Sequence, residues 1–123
     1  MSVLTGEEVE SMISRLEQQE LDCQTGSGVV PVSVYTELLA SYLAQEPPNL
    51  TQAKFLMQRV PDNVKQSEES VELNKVWKIG RGLWTRNLPE VYNSLEGPWS
   101  PAVQRIIEKV SDRISIIITS RII

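Results

Sequence analysis

The chain has 123 residues, a net charge of −4 and no histidine. Without histidine it lacks the usual general acid or base, a Ser-His-Asp triad and the ordinary ligands of a catalytic zinc. Its length suits one domain that buries roughly two thirds of the surface of the unfolded chain. We therefore predict a single domain over residues 1–123 with no enzyme activity, no cofactor and no metal.

The cysteine content and the start of the chain predict an intracellular protein. Cys23 is the single cysteine, so no intramolecular disulfide forms, and the acidic neighbour Asp22 disfavours a nucleophilic thiolate. The first residues lack the basic flank and apolar core of a signal peptide. No run approaches the roughly 20 apolar residues that span a bilayer, so we expect no membrane partner.

Charge is unevenly distributed along the chain. Residues 1–22 sum to −5, residues 23–74 to −3 and residues 75–123 to +4. This asymmetry either steers partners or reflects complementary, solvated parts of one domain. The acidic total argues against nucleic acid as the main partner, because a basic footprint is the usual signature.

The first helix is predicted over residues 6–20. Thr5 followed by Glu8 is a capping-box signal, and apolar residues then recur on one helical face, namely Val9, Met12, Ile13 and Leu16. Residues 23–30 hold two glycines and predict a loop that includes Cys23. Pro31 then opens a second helix, which ends before residue 47 and carries one apolar stripe, namely Tyr35, Leu38, Leu39, Tyr42 and Leu43.

A short third helix is predicted up to Val60. Asn49 or Thr51 caps its start, and Pro61 closes it because the residue before proline disfavours helical angles. Residues 61–70 are polar and predict a linker or a single turn.

The fourth helix is predicted from about residue 68 to residue 86. Its apolar residues fall within an arc of about 120°, namely Leu73, Val76, Trp77, Gly80, Leu83 and Trp84. Gly80 and Gly82 each cost about 1 kcal/mol of helix propensity. Because Gly80 lies in the middle of the arc, it indicates the close approach of a neighbouring helix.

Two more helices complete the predicted fold. Pro89 opens the fifth and Pro101 opens the sixth, whose stripe is Val103, Ile106, Ile107, Val110, Ile114, Ile117 and Ile118. Residues 111–123 form an atypical isoleucine-rich end, where a helix to residue 118 is favoured over an exposed strand. Six helices with short loops predict an all-α fold of stacked antiparallel helical hairpins.

The candidate functional residues indicate binding rather than catalysis. Trp77 and Trp84 are seven residues apart and are interpreted as core rather than as platforms for stacked bases. Trp99 either covers the edge of the core or anchors a partner. Acidic clusters at two helix starts complement the helix dipoles, so a paired-carboxylate site is the less favoured interpretation. We expect no small-molecule substrate, and the predicted partner-binding residues are Trp99, Lys75, Lys78 and Arg81.

The order and spacing of these residues resemble the family of COP-9 signalosome subunit 8, which is shared with a proteasome lid subunit and a translation initiation factor three subunit. The resemblance covers about residues 35–110 and implies the TPR-like helical-repeat part of a PCI-type domain. The chain stops before the winged helix that follows in that family. The residues that carry the resemblance are Tyr35, Leu38-Leu39, Tyr42-Leu43, Ala53-Lys54-Phe55-Leu56, Arg59-Val60-Pro61, Val76-Trp77, Ile79-Gly80, Leu83-Trp84, Arg86, Val91-Tyr92 and Trp99-Ser100.

The resemblance implies a non-catalytic scaffold subunit of a signalosome-type complex, found in cytoplasm and nucleus and bound to neighbouring PCI-domain subunits. Such a complex regulates cullin-RING ubiquitin ligases by removing Nedd8 from cullins, using a zinc site in another subunit. The end after Ser111 departs from the family pattern, which places normal incorporation in question. The alternatives are the proteasome lid or initiation factor subunit, or a helical RNA-binding module that uses Lys75, Lys78 and Arg81.

Overall fold

The computed structural model describes residues 4–45, 48–96 and 98–122, and the side chains of residues 113–122 lie outside the description. Within these residues the backbone forms seven α-helices and a 3₁₀ turn at Glu68–Ser70, and no strand. The helices are α1 (Gly6–Thr25), α2 (Val32–Leu43), α3 (Leu50–Arg59), α4 (Asp62–Lys65), α5 (Val71–Thr85), α6 (Leu88–Ser94) and α7 (Pro101–Ile122).

The capping box at the start of α1 is confirmed, but the helix is longer than predicted. Thr5 Oγ1 accepts the Glu8 N–H at 3.1 Å, and the Glu8 carboxylate accepts the Thr5 N–H at 3.1 Å. The predicted loop from residue 23 is wrong at its start, because Cys23 lies in the last turns of α1. No helix breaker precedes Gly26, whose N–H closes the helix on the Asp22 carbonyl at 2.9 Å.

Helix α2 lies at the centre of the fold and contacts α1, α3, α5 and α7. Its sequence holds one charged residue, Glu37, so it can be enclosed with little desolvation cost. The predicted apolar stripe is confirmed, since all five of its residues are buried, namely Tyr35, Leu38, Leu39, Tyr42 and Leu43.

The connection from α3 to α5 is more ordered than a linker. Asn49 caps α3 by accepting the Gln52 N–H at 3.1 Å, as predicted. The stretch after Pro61 forms α4 and the 3₁₀ turn. The Ser70 hydroxyl connects the two by donating a hydrogen bond to the Lys65 carbonyl at 2.8 Å. Helix α5 therefore begins at residue 71 and not at residue 68, and the fold has one α-helix more than the six predicted in the part of the chain described.

The close helix approach predicted at Gly80 is tightest at Gly82 instead. A Cβ on Gly82 would lie 2.6 Å from Cγ2 of Val91 in α6, a distance that two carbon atoms do not tolerate. A Cβ on Gly80 would meet Trp77 at 3.3 Å and Leu43 at 3.4 Å, which is tight but not a clash. Helical periodicity predicts the apolar arc of α5, which contains Gly80. Helix α6 packs beside that arc, at Gly82, so the pattern did not predict this contact.

Helix α7 completes the core from the C-terminal side. It packs against α2 through four buried residues of the predicted stripe, namely Val103, Ile106, Ile107 and Val110. Its helical backbone continues to Ile122, four residues beyond the predicted end. The packing predicted for the rest of the stripe, from Ile114 onward, lies outside the described side chains.

These helices confirm the predicted fold class, an all-α stack of antiparallel helical hairpins. The core is continuous from α1 to α7, since buried residues of each long helix belong to one cluster. Among the described residues, no helix is both long and apolar enough to cross a membrane.

Candidate interaction surface

The predicted partner-binding lysines flank a groove between α5 and α6. The groove has a volume of about 500 Å³ and is lined by Lys75, Lys78, Asn87, Glu90, Asn93 and Ser94. Arg81 reaches the same side, where its guanidinium lies 3.8 Å from the Glu90 carboxylate. The structure thus brings the three predicted cations to one side of α5, but one of them already has an acidic neighbour.

Trp99 is held against the edge of the core by two contacts, and its neighbour Ser100 makes a third. Its ring is half-buried, and its Nε1 donates to the Leu95 carbonyl at 3.0 Å. The Lys75 ammonium lies 4.5 Å from the ring centroid, within the range of a cation–π interaction. Beside it, Glu72 accepts the backbone N–H of Ser100 at 2.6 Å. The ring therefore covers the core edge, one of the two predicted roles, and its role in partner binding stays a prediction.

The interpretation of Trp84 as a core residue is wrong. Its side chain is 52% exposed, whereas Trp77 on the same edge of α5 is half-buried against the core. The buried arc is centred on Val76 and Ile79, so Trp84 lies at its margin. The Lys54 ammonium of α3 lies 5.5 Å from the Trp84 ring centroid. An exposed tryptophan beside a cation is typical of a binding surface rather than of a core.

A polar cluster that the sequence did not predict ties α1 to α2 and α3. Glu20 accepts two hydrogen bonds from the Arg59 guanidinium, at 3.0 and 3.1 Å, and only 8% of its side chain is exposed. Tyr42 donates its hydroxyl to the Glu17 carboxylate at 2.6 Å. Burial and this hydrogen bond raise the pKa of Tyr42 well above its ordinary value. These partners are 25 and 39 residues apart, and no local pattern links them.

The described residues contain no group of three or more cysteine, aspartate or glutamate side chains placed to hold a metal ion. The single cysteine, Cys23, is a half-buried free thiol in α1. The exposed Trp84 ring and the exposed basic side chains of this surface can bind apolar and charged groups.

The fold and these surfaces define a small helical-repeat protein with exposed aromatic and basic side chains. The CSN8/PSMD8/EIF3K family model matches residues 31–122. The chain belongs to the CSN8/PSMD8/EIF3K family, as the residues that carried the resemblance predicted.

The curated relatives include COP9 signalosome complex subunit 8 of Xenopus laevis, 36% identical over 97 residues, which are 78% of this chain and 47% of the relative. The protein of the same name from Drosophila melanogaster is 30% identical over 102 residues, 83% of this chain and 51% of the relative. The chain thus spans about half the length of the curated relatives that it matches.

Proposed function

We propose that this chain is a non-catalytic scaffold subunit of a COP9 signalosome-type complex, which regulates cullin-RING ubiquitin ligases by removing Nedd8 from cullins. The observation that carries the proposal is its identity of 30–36% to proteins named COP9 signalosome complex subunit 8. The histidine-free sequence supports a structural part, because the zinc site of such a complex would belong to another subunit.

The proposed partners are the neighbouring PCI-domain subunits, and the proposed locations are the cytoplasm and nucleus. The contact residues would be the groove between α5 and α6 with the adjoining loop, namely Lys75, Lys78, Arg81 and Trp99. Lys78 is exposed and has no ion-pair partner among the described residues, so it is available to an acidic partner. We further propose that residues 1–123 unfold as one cooperative domain.

Reconstitution tests this function. The purified chain is mixed with the other signalosome subunits, and size-exclusion chromatography with light scattering measures the mass of each complex. We expect the chain to elute with those subunits and to add its own mass of 13.9 kDa. Elution as a separate species at every concentration would refute the proposal.

Two further assays separate the alternatives. Subunits of the proteasome lid and of translation initiation factor three replace the signalosome subunits in the same experiment, and preferential binding to either set would favour that complex. For the RNA-binding alternative, affinity for oligouridine is measured at rising salt. A strong salt dependence that disappears when Lys75, Lys78 and Arg81 are replaced by alanine would favour RNA.

A further inference from the structure

Helices α3 and α5 are rich in basic residues in a protein whose net charge is acidic. Helix α3 carries Lys54 and Arg59 and no acidic residue. Residues 73–86, which include most of α5 and its cap, carry four cations and no acidic residue. Because the whole chain has a net charge of −4, these two stretches are local excesses of positive charge along the sequence.

Two of these cations, Lys54 and Arg86, keep their charge available to a partner. Arg59 is bound to Glu20, and Arg81 lies beside Glu90. Lys54 and Arg86 form no ion pair within the described part of the chain. Arg86 is held at the end of α5 in the left-handed conformation, with φ of 60° and ψ of 32°, and its side chain is exposed.

Trp84 provides an exposed apolar ring beside Lys54, with Arg81 and Arg86 before and after it in the sequence. It is 52% exposed, it lies two residues before Arg86, and the Lys54 ammonium is 5.5 Å from its ring centroid. Arg81 is three residues earlier in α5 and therefore on the neighbouring part of the same helical surface. An exposed tryptophan with basic residues nearby has the composition of an energetically dominant contact in protein interfaces.

We propose that this Trp84 surface, formed by Trp84, Lys54, Arg81 and Arg86, docks an acidic amphipathic helix of a partner subunit. An apolar side chain of that helix covers the exposed part of the Trp84 ring, and carboxylates on either side approach Lys54 and Arg86. The proposal rests on the proposed function as a subunit of a complex. It is centred on the side of α5 that faces α3, and Arg81 lies between this surface and the groove between α5 and α6.

Charge and geometry favour an acidic protein segment over a nucleic acid. The Lys54 ammonium lies over one face of the Trp84 ring, so a base could stack only on the other face, whereas an apolar side chain can pack on that face or against the ring edge. Arg81 is shared with Glu90, so this surface has few unpaired cations with which to hold the many charges of a phosphate backbone. A carboxylate-bearing helix needs fewer cations, because single charge pairs at the rim suffice to orient it.

The first experiment measures this docking with a defined probe. A fluorescein-labelled helical peptide of about 18 residues carries leucines on one face and glutamates on both flanks, and a matched peptide carries glutamine in place of glutamate. Anisotropy measures binding to the full chain at low and moderate salt. We expect the acidic peptide to bind at least about tenfold more tightly than the glutamine peptide, with affinity that weakens as salt rises.

Three variants locate the binding site. Trp84→Ala and Lys54→Glu should each weaken binding of the acidic peptide by about tenfold or more. Phe55→Ala is the matched control, because Phe55 is 49% exposed but points about 100° round α3 from Lys54, and it should change affinity less than about twofold. Lys54→Glu removes no core contact, so it tests the surface even if Trp84→Ala proves unstable in a circular dichroism melt.

The same variants are then examined in the complex reconstituted with the other signalosome subunits. Zero-length carbodiimide coupling should join Lys54 to a partner carboxylate, and Trp84→Ala should abolish that cross-link. Unchanged peptide binding by Trp84→Ala and Lys54→Glu, tighter binding of oligouridine than of the peptide, or a Trp84-dependent dimer of this chain would each overturn the docking proposal. A wild-type chain that binds the peptide but joins no complex would contradict the proposed function and leave the Trp84 surface supported.

Discussion

Gly82→Ala should destabilise the protein even though alanine is the better helix former. In the interior of α5 the substitution gains about 1 kcal/mol of helix propensity. The new Cβ, however, would lie 2.6 Å from Cγ2 of Val91 and 3.4 Å from the Asn87 carbonyl oxygen. Overpacking of this kind costs about 1 to 3 kcal/mol.

The surroundings of Gly82 place the cost toward the upper part of that range. Val91 is fully buried in α6, and a β-branched side chain in a helix has essentially one rotamer, so it cannot turn away. Relief therefore requires α6 to move as a whole from α5. We expect a net loss of about 1 to 2 kcal/mol in the free energy of unfolding, measured by urea denaturation.

Gly80→Ala is the matched control, because the same helix gains the same propensity there. Its Cβ would approach Trp77 and Leu43 no closer than 3.3 Å, so we expect a change within about 1 kcal/mol of zero. A double-mutant cycle isolates the contact with Val91. In a Val91→Ala background, Gly82→Ala should lose most of its penalty. Equal or greater stability of Gly82→Ala than wild type, or an unchanged penalty in that background, would refute the packing argument.

Three further predictions concern single side chains. Arg86→Gly should raise the free energy of unfolding by about 0.5 to 1 kcal/mol, because glycine adopts the left-handed cap of α5 without strain; lower stability in urea would contradict this. Trp84→Ala should lower the free energy of unfolding by about 2 kcal/mol or less, which is below the roughly 3 to 5 kcal/mol expected for a fully buried aromatic residue. A larger loss in thermal melting would show that the ring is part of the core. Burial and the hydrogen bond to Glu17 raise the pKa of Tyr42 in the folded state. The protonated hydroxyl therefore contributes its full share to the free energy of unfolding below the unfolded pKa of about 10, and this share is lost as the pH rises above that value. Tyr42→Phe should therefore lower the free energy of unfolding by about 1 kcal/mol at neutral pH. In a series of thermal melts at alkaline pH, the stability of this variant should decline less steeply with pH than that of the wild type. An equally steep decline would contradict the role given to the Tyr42 hydroxyl.

Local chemistry explains which parts of the fold the sequence predicted well. The start of α1 depends on Thr5 and Glu8, which are three residues apart, and the start of α3 depends on Asn49 and the N–H of Gln52. Such interactions form within one turn, so short sequence patterns specify them. The family resemblance likewise came from the order and spacing of residues along the chain.

The candidate site was only partly predictable, because some of its contacts join residues that are distant in the chain. The side of α5 that carries Lys75, Lys78 and Arg81 follows from helical periodicity, and in the structure the two lysines line one groove while Arg81 lies beside Glu90 at its edge. The pairing of Glu20 with Arg59 depends on packing between α1 and α3, which no spacing in the sequence encodes. Periodicity could therefore name a polar face but not the contacts made across it.

The sequence by itself determined the all-α fold, the caps and the buried stripe of α2, because these depend on interactions within a turn and on apolar residues repeated at helical spacing. Tertiary structure decided how much of each apolar arc is covered. It left Trp84 half exposed beside Lys54 and made Gly82, rather than Gly80, the point of closest helix approach. The physical reason is that burial depends on where a neighbouring helix lies, and residues distant in the chain decide that position.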